Sequence, residues 1–171
     1  MMMATTGVGV RPKGFTPATS VRNARFVDTP QFAQTYGGQT GSKKKGLVYE
    51  QKVRDHLDGI LPDSWEAVPG PWFHFSDGRN ERYAQADWLA FDFKSRVICI
   101  GEIKFTRVAN AWWQLNRLYG PIVRSIFPTW QIAYLEIAKN VRNVATPTPV
   151  RVVWKLEDVK PEQTSFMQVV V

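Results

Sequence analysis

The stretch that decides the fold runs from residue 83 to residue 105 and reads YAQADWLAFDFKSRVICIGEIKF. Its second part, residues 97–105, is a nearly continuous apolar run, as expected of a central strand buried on both faces. Its first part, residues 83–93, alternates between two sets of side chains and predicts another strand. The Lys-Ser-Arg connection between the two parts predicts that they form a hairpin.

The register of this hairpin brings charged side chains together. If it closes around residues 94–95, counting back places Asp87 opposite Glu102, and cross-strand partners have Cβ atoms about 4.5–5.5 Å apart. Lys104 follows Glu102 by two positions and therefore shares its face of the strand. We expect two carboxylates and an ammonium group to converge on one patch of the sheet.

A further carboxylate lies upstream, on a helix predicted over residues 47–58 that Gly59 is placed to end. Glu50 falls inside the apolar arc of this helix, where a carboxylate is costly unless something pairs with it. Three interpretations stay open: a buried salt bridge, a misplaced helix boundary, or a ligand that points inward at a metal ion.

The rest of the chain completes an α/β order. Residues 72–75 predict a strand before the hairpin, and residues 108–119 predict a helix that Gly120–Pro121 should kink or break before residues 122–127. Strands are also predicted further along, over residues 130–137, 150–154 and 166–171. The expected fold is a helix, a three-stranded antiparallel start of a mixed sheet, a helix and a strand, with extra C-terminal strands.

Most of the net charge of +7 lies near the N-terminus. Residues 1–45 carry seven basic side chains and one acidic one, whereas residues 46–171 are nearly balanced. We predict a basic, flexible or extended N-terminal arm over residues 1–45 and one domain over residues 46–171. A basic arm suggests a polyanion such as nucleic acid as partner, although a solvated tail that aids solubility explains the charge equally well. Its last three lysines, which could contact backbone phosphates, are Lys43, Lys44 and Lys45.

The amino-acid composition limits which metals the chain could bind and in which cellular compartment it is expected. A single cysteine and two histidines leave little for a zinc-type site, so any metal should be a hard cation held by carboxylates. The lone cysteine also favours a reducing compartment, which points to the cytoplasm. No stretch approaches the roughly 18 apolar residues of a transmembrane helix, and the first ten residues lack the apolar region of a signal peptide.

The predicted cluster has the groups that phosphodiester hydrolysis needs. One or two Mg²⁺ ions can activate a water, neutralise phosphoryl oxygens and stabilise the leaving oxygen. Carboxylates such as Glu50, Asp87 and Glu102 suit Mg²⁺, and the backbone carbonyl of Ile103 could add a ligand. Lys104 could orient the attacking water and offset developing negative charge.

This pattern resembles the PD-(D/E)XK nuclease superfamily. Asp87, fourteen intervening residues and then Glu102–Ile103–Lys104 follow its motif, and the helical Glu50 and the order of elements are similar to its core over roughly residues 46–137. The resemblance implies metal-dependent cleavage of DNA, with Asp87 and Glu102 as metal ligands and Lys104 supporting the nucleophile. It also implies Glu50 as an extra acidic ligand, Mg²⁺ as the cofactor and Mn²⁺ as its substitute.

The chain departs from the superfamily pattern at two places. Ala86 precedes Asp87 where the superfamily name has a proline. Gln114 and Tyr119 are similar to the Gln-x-x-x-Tyr element of RecB-like and phage exonuclease-like members, but four residues separate them instead of three. We predict that Gln114 contacts the substrate or active site and that Arg117, one turn away, touches phosphate. Ordinary helix-surface and core positions are the alternative interpretation for these residues.

The sequence therefore predicts a metal-dependent deoxyribonuclease of the RecB-like, phage-type or Holliday-junction-resolvase-like kind. A chain this short has no spare domain for reading bases, which favours structure-selective or weakly specific cleavage in DNA processing, repair or recombination. If the protein is encoded by a phage, its compartment is the host cytoplasm. A homodimer, a catalytically inactive nuclease-fold DNA-binding or structural protein, and a purely structural ion-pair cluster all stay open.

Overall fold

The computed structural model describes residues 11–34, 41–106, 110–140 and 153–154. Eight strands lie within these residues, namely β1 Val21–Val27, β2 Trp65–Pro69, β3 Trp72–Asp77, β4 Asn80–Gln85, β5 Trp88–Asp92, β6 Val97–Thr106, β7 Gln131–Asn140 and β8 Val153–Trp154. The helical segments are a short 3₁₀ helix Gln31–Ala33, α1 Gly41–Ile60, α2 Asn110–Gln114, a π-helical turn Leu115–Tyr119 and α3 Gly120–Ile126.

The strands form two sheets, and the fold class is mixed α/β as predicted. The smaller sheet is antiparallel, with the order β1-β3-β4. The larger sheet has the order β2-β5-β6-β7-β8, in which β5 is antiparallel to both β2 and β6. Strand β7 is parallel to both β6 and β8. A helical connection of α2, the π turn and α3 joins β6 to β7.

Strand β6 is buried on both faces, which explains its nearly unbroken apolar sequence. On one face, Cys99 and Ile103 pack with Val53 and Leu57 of α1. On the other face, Ile98 and its even-numbered neighbours pack against α3 and the smaller sheet. The prediction of a central strand over residues 97–105 is confirmed.

The hairpin has the predicted register, because Asp92 pairs with Val97 and Trp88 pairs with Gly101. The single strand expected over residues 83–93 is wrong, however, since the chain changes sheets between Gln85 and Trp88.

Two main-chain hydrogen bonds hold this crossing. The N–H of Ala86 donates to the carbonyl of Pro71 over 3.1 Å, and the N–H of Gly70 donates to the carbonyl of Asp87 over 3.0 Å. Gly70 has a φ of +57°, a conformation that residues with a side chain rarely adopt. The third antiparallel strand of the larger sheet is consequently β2, and the strand predicted over residues 72–75 belongs to the smaller sheet.

The N-terminal part of the chain differs from the expected arm. Strand β1 pairs with β3 in the smaller sheet, and α1 begins at Gly41, six residues before the predicted start. The boundary drawn at residue 45 therefore falls within α1. The alternation of β1 is hard to recognise because Arg22, Asn23 and Arg25 lie within it and because a bulge interrupts its register between Arg22 and Arg25.

Of the kink or break expected at Gly120–Pro121, the break does not occur, since the π turn leads directly into α3. Pro121 has no N–H to donate to the carbonyl of Arg117, but the N–H of Ala18 donates to that carbonyl over 2.8 Å. The carbonyl of Arg117 therefore still accepts a hydrogen bond, although the proline removes its usual donor. At Gly120 an added methyl group would overlap the hydroxyl of Tyr134, so a larger residue here requires that side chain to shift.

The last strands agree with the sequence where they are described. Strand β7 covers the strand predicted over residues 130–137, and β8 lies within the one predicted over residues 150–154. The strand predicted over residues 166–171 lies outside the described residues. Within the described part of the chain, no helix is long and apolar enough to cross a membrane.

Candidate active site

Three of the predicted carboxylates meet at one end of the larger sheet. Asp87 lies directly before β5, and its Oδ2 accepts a hydrogen bond of 2.7 Å from the N–H of Ile103 in β6. Trp88 pairs with Gly101, and continuing this register by one residue places Asp87 opposite Glu102, as predicted. The carboxyl groups of Asp87, Glu102 and Glu50 are close enough for each to influence the ionisation of the others.

Helix α1 is attached to this end of the sheet by two side-chain contacts. The guanidinium of Arg54 lies 2.5 Å from Oε1 of Glu50 and donates through Nε to the carbonyl of Asp87 over 2.9 Å. One turn further along, the indole N–H of Trp88 donates to Asp58 over 3.3 Å. Glu50 therefore has a salt-bridge partner, which was one of its three open interpretations, and Arg54 is a site residue that the sequence analysis missed.

Lys104 and Glu102 form an ion pair on the opposite face of β6 from α1. The Nζ of Lys104 lies 2.6 Å from Oε1 of Glu102, whose side chain is 1% exposed. The second oxygen, Oε2, is buried and accepts no hydrogen bond from the described residues. A buried carboxylate oxygen without a donor is costly, and a bound cation would satisfy it.

The carboxyl groups of the cluster resist ionisation. Burial raises the pKa of Glu102 to about 8, with the charge of Asp87 adding to the effect and Lys104 opposing it. Burial also raises the pKa of Asp87, although the N–H of Ile103 stabilises its ionised form. The pKa of Glu50 is raised by burial and by Asp87, against Arg54. Negative charge at this site is therefore poorly compensated in the protein alone.

Lys104 keeps its charge in this setting. Burial alone would lower its pKa, but the carboxylates of Glu102, Asp87 and Glu136 outweigh burial and raise it. Of the two members of the Glu102–Lys104 pair, the carboxyl group is therefore the one that takes up a proton first.

Glu136 is a second residue that the sequence analysis missed. It is 2% exposed and lies beside Glu102 in the parallel register of β6 and β7. A signal for it was present, because Glu136 is the one charge within the apolar run of residues 132–138. Two buried carboxylates on neighbouring strands thus face the region of the Lys104 ammonium.

The π turn brings Gln114 and Tyr119 together. The amide Nε2 of Gln114 donates to the hydroxyl of Tyr119 over 3.3 Å. Residues five apart lie on one face of a π-helical turn, so the extra residue in the Gln-x-x-x-x-Tyr spacing is absorbed by this turn. Tyr119 is 3% exposed, and burial together with the charges of Glu102 and Asp87 raises its pKa well above its usual value. Gln114 therefore lies beside the carboxylate cluster.

The other predicted substrate contacts are exposed side chains. Arg117 is exposed, and its guanidinium lies over the ring of Trp112 at 5.7 Å from the centroid. Lys43, Lys44 and Lys45 are exposed in the first turns of α1, on a helix whose start the sequence analysis had placed after them. Lys44 and Lys45 line a groove on the other face of β6.

In the described part of the chain, no three possible metal ligands are arranged to enclose an ion. Arg54, Lys104 and the N–H of Ile103 occupy oxygens of the three carboxylates. The donor set still fits a hard cation, because it consists of carboxylates and includes the orphaned Oε2 of Glu102.

Comparisons with known proteins add no further guidance to this geometry. No family model matches the chain, and neither a curated protein nor a solved structure matches it. The function is therefore inferred from the arrangement of the site itself.

Proposed function

We propose that this protein is a metal-dependent nuclease of the PD-(D/E)XK type that hydrolyses phosphodiester bonds in DNA. The proposal is carried by one observation: the hairpin brings Asp87 to Glu102, and Lys104 lies 2.6 Å from Glu102 on the same strand face. Such a cluster of carboxylates with one lysine fits phosphodiester hydrolysis.

The order of elements supports the same proposal. Helix α1, the antiparallel strands β2, β5 and β6, a helical connection and the parallel strand β7 follow one another along the chain. This is the order expected of a restriction-endonuclease-like core. Strands β3 and β4 lie between β2 and β5 in the chain, and β3 pairs with both β1 and β4 in the smaller sheet.

Asp87, Glu102 and Glu50, with the backbone carbonyl of Ile103, are the groups that would hold Mg²⁺ or Mn²⁺. The ion would supply an activated water and neutralise phosphoryl oxygens. Lys104 keeps its charge, and its ammonium group can orient the attacking oxygen by donating a hydrogen bond to it. The neutral phenol of Tyr119, aligned by Gln114, is a hydrogen-bond donor beside the cluster.

The proposed substrate is DNA that is selected by structure more than by base sequence, as in processing, repair or recombination. The described residues form two sheets with packed helices and expose lysine side chains. Phosphate contacts of lysine carry no base information. The reducing compartment favoured by the lone cysteine is consistent with cytoplasmic DNA.

A catalytically inactive DNA-binding or structural protein is the second candidate. The observation in its favour is that Arg54 and Lys104 already pair with two of the carboxylates. In that protein the cluster would be a structural network, and an added divalent cation would leave its stability unchanged.

Cleavage assays with Asp87→Asn and Lys104→Ala test the proposal. Wild-type protein should cleave labelled DNA only with Mg²⁺ or Mn²⁺, and both variants should lose cleavage while they keep their circular dichroism spectra. Calorimetric titration should show that Mn²⁺ still binds Lys104→Ala. The exposed Glu66 provides a matched control, since Glu66→Gln removes a carboxylate remote from the cluster. Cleavage by Asp87→Asn at the rate of the wild-type protein would refute the proposal.

A further inference from the structure

A basic groove with a volume of about 710 Å³ lies between α1 and the ends of β6 and β7. It is on the face of β6 opposite Glu102. Phe105 is three positions after Glu102, and side chains an odd number of positions apart in a strand point to opposite faces. Among the described residues that line it, four of eight are lysines and none is acidic. The lining residues are Gly41, Lys44, Lys45, Val48, Tyr49, Lys52, Phe105 and Lys139.

The floor of this groove is aromatic. The rings of Tyr49 and Phe105 meet edge to face, with centroids 5.9 Å apart and an interplanar angle of 88°. The ammonium of Lys139 lies 5.0 Å from the centroid of the Phe105 ring. Val48, at the rim, is 63% exposed. Apolar side chains and lysines thus line the same groove, and one of the ammonium groups, that of Lys139, lies over an aromatic ring.

The charges of the groove are not compensated within the described residues. None of Lys44, Lys45, Lys52 and Lys139 forms an ion pair there. Four ammonium groups around one concave surface repel each other and attract a polyanion. A ligand that combines phosphates with flat apolar rings complements both the rim and the floor.

We propose that this groove binds an unpaired strand of nucleic acid, whose phosphates contact the lysines and whose base stacks against Phe105. Bases in a duplex are covered by their neighbours, whereas the faces of an unpaired strand are free to stack on aromatic side chains. The stacking partner therefore favours a single strand over a duplex.

The location of the groove connects it with the carboxylate cluster, so the inference rests on the proposed nuclease function. Tyr49 directly precedes Glu50 on α1, and Phe105 directly follows Lys104 on β6. A strand held in the groove and passing over the end of β6 reaches the carboxylates. The substrate would then be DNA with an unpaired end or flap.

Binding measurements on lysine variants test the groove. The double variant Lys52→Glu/Lys139→Glu changes two exposed side chains. The matched charge control is Arg79→Glu/Lys94→Glu, which makes the same change in net charge at the exposed turns between β3 and β4 and between β5 and β6. Fluorescence anisotropy in EDTA would compare a labelled single-stranded oligonucleotide with its duplex. The double variant should bind the single strand at least about tenfold more weakly. Its plot of log K against log salt should be shallower by about 0.7 for each phosphate that the substituted side chains no longer neutralise.

A second variant tests the stacking surface. Phe105→Leu removes the ring and keeps an apolar side chain against Tyr49, and it should weaken single-strand binding about tenfold while duplex binding stays unchanged. A thermal melt establishes that the variant is folded. If Phe105→Leu does not fold, the lysine variants, whose substituted side chains are exposed, still test the groove.

The outcomes separate this inference from the proposed function. Unchanged affinity and salt dependence in the double variant, or equal weakening for single strand and duplex, would overturn the groove assignment even if metal-dependent cleavage is observed. Single-strand binding that depends on Lys52 and Lys139, in a protein without cleavage activity, would support the groove and count against the nuclease.

Discussion

Replacing Glu102 with glutamine should change the stability of the metal-free protein in a pH-dependent way. Burial raises the pKa of Glu102 from 4.5 to about 8, so the folded state holds this proton more tightly than the unfolded state. The stabilisation that results is fully present below about pH 4.5 and is lost as the pH rises through 8. Glutamine is neutral throughout, so the variant lacks this loss.

The structure sets the size of the effect. One pKa unit corresponds to about 1.36 kcal/mol, so the full shift corresponds to a ceiling of roughly 4–5 kcal/mol. Asp87 and Glu50 share the cluster and adjust their own protonation, which reduces the net change. We expect the free energy of unfolding of Glu102→Gln, relative to wild type, to rise by about 2–3 kcal/mol between pH 5 and pH 9.

Denaturant unfolding in EDTA at pH 5, 7 and 9 measures this difference. Glu66→Gln is the control, because its carboxylate is exposed and its removal should leave the pH dependence unchanged. At pH 8, added Mg²⁺ should stabilise the wild type relative to Glu102→Gln. A cation that binds only the folded wild type stabilises it by about 2.7 kcal/mol at 100 times its Kd. A difference between Glu102→Gln and wild type that is the same at pH 5 and pH 9 would refute the reasoning.

Three further predictions follow from the packing. Glu136→Gln should lower the pKa of Lys104 because it removes an anion that raises it, and an NMR titration of the lysine side chains would detect the shift; an unchanged value would contradict the placement of Glu136. Gly120→Ala should lower the free energy of unfolding by about 1–3 kcal/mol through overlap with the hydroxyl of Tyr134. Adding Tyr134→Phe should restore part of that stability, whereas purely additive effects in a double-mutant cycle would argue against the overlap. Deletion of residues 1–45 should lower the melting temperature, because it removes β1 and cuts α1; an unchanged melting temperature would show that neither segment contributes to stability.

The hairpin and the convergence of its carboxylates were predictable from local sequence. The turn at residues 94–95 sets the register, and the period of two then fixes which side chains face each other. Burial of β6 on both faces left an apolar run that few other elements produce. These features depend on residues close together in the chain, so the sequence itself contains the information.

Features that depend on distant partners were not predictable in the same way. The alternation of residues 83–93 continues without interruption through the point where the chain changes sheets, and only the hydrogen bonds of Gly70 and Pro71 reveal that point. The helix continues past Pro121 because the N–H of Ala18, far away in the sequence, donates to the freed carbonyl of Arg117. No pattern in the sequence near Pro121 predicts this hydrogen bond.

The sequence predicted the carboxylates Asp87, Glu102 and Glu50 as site residues. It did not predict Arg54 and Glu136, which contact or adjoin them. Asp87 and Glu102 have a register argument, and Glu50 has a position on a helix face. Arg54 is an ordinary surface arginine in the sequence, and its contacts with Glu50 and Asp87 depend on how α1 packs on the sheet. Glu136 becomes part of the site only when β7 is aligned beside β6.

The β5–β6 hairpin also bears on how the protein folds. Among the pairings of the larger sheet it joins the residues nearest in sequence, and contacts of low sequence separation tend to form early. We predict that Asp87 and Glu102 come together before the rest of the sheet assembles, so that their repulsion already acts in the transition state. Raising the pH should consequently slow folding more than it speeds unfolding.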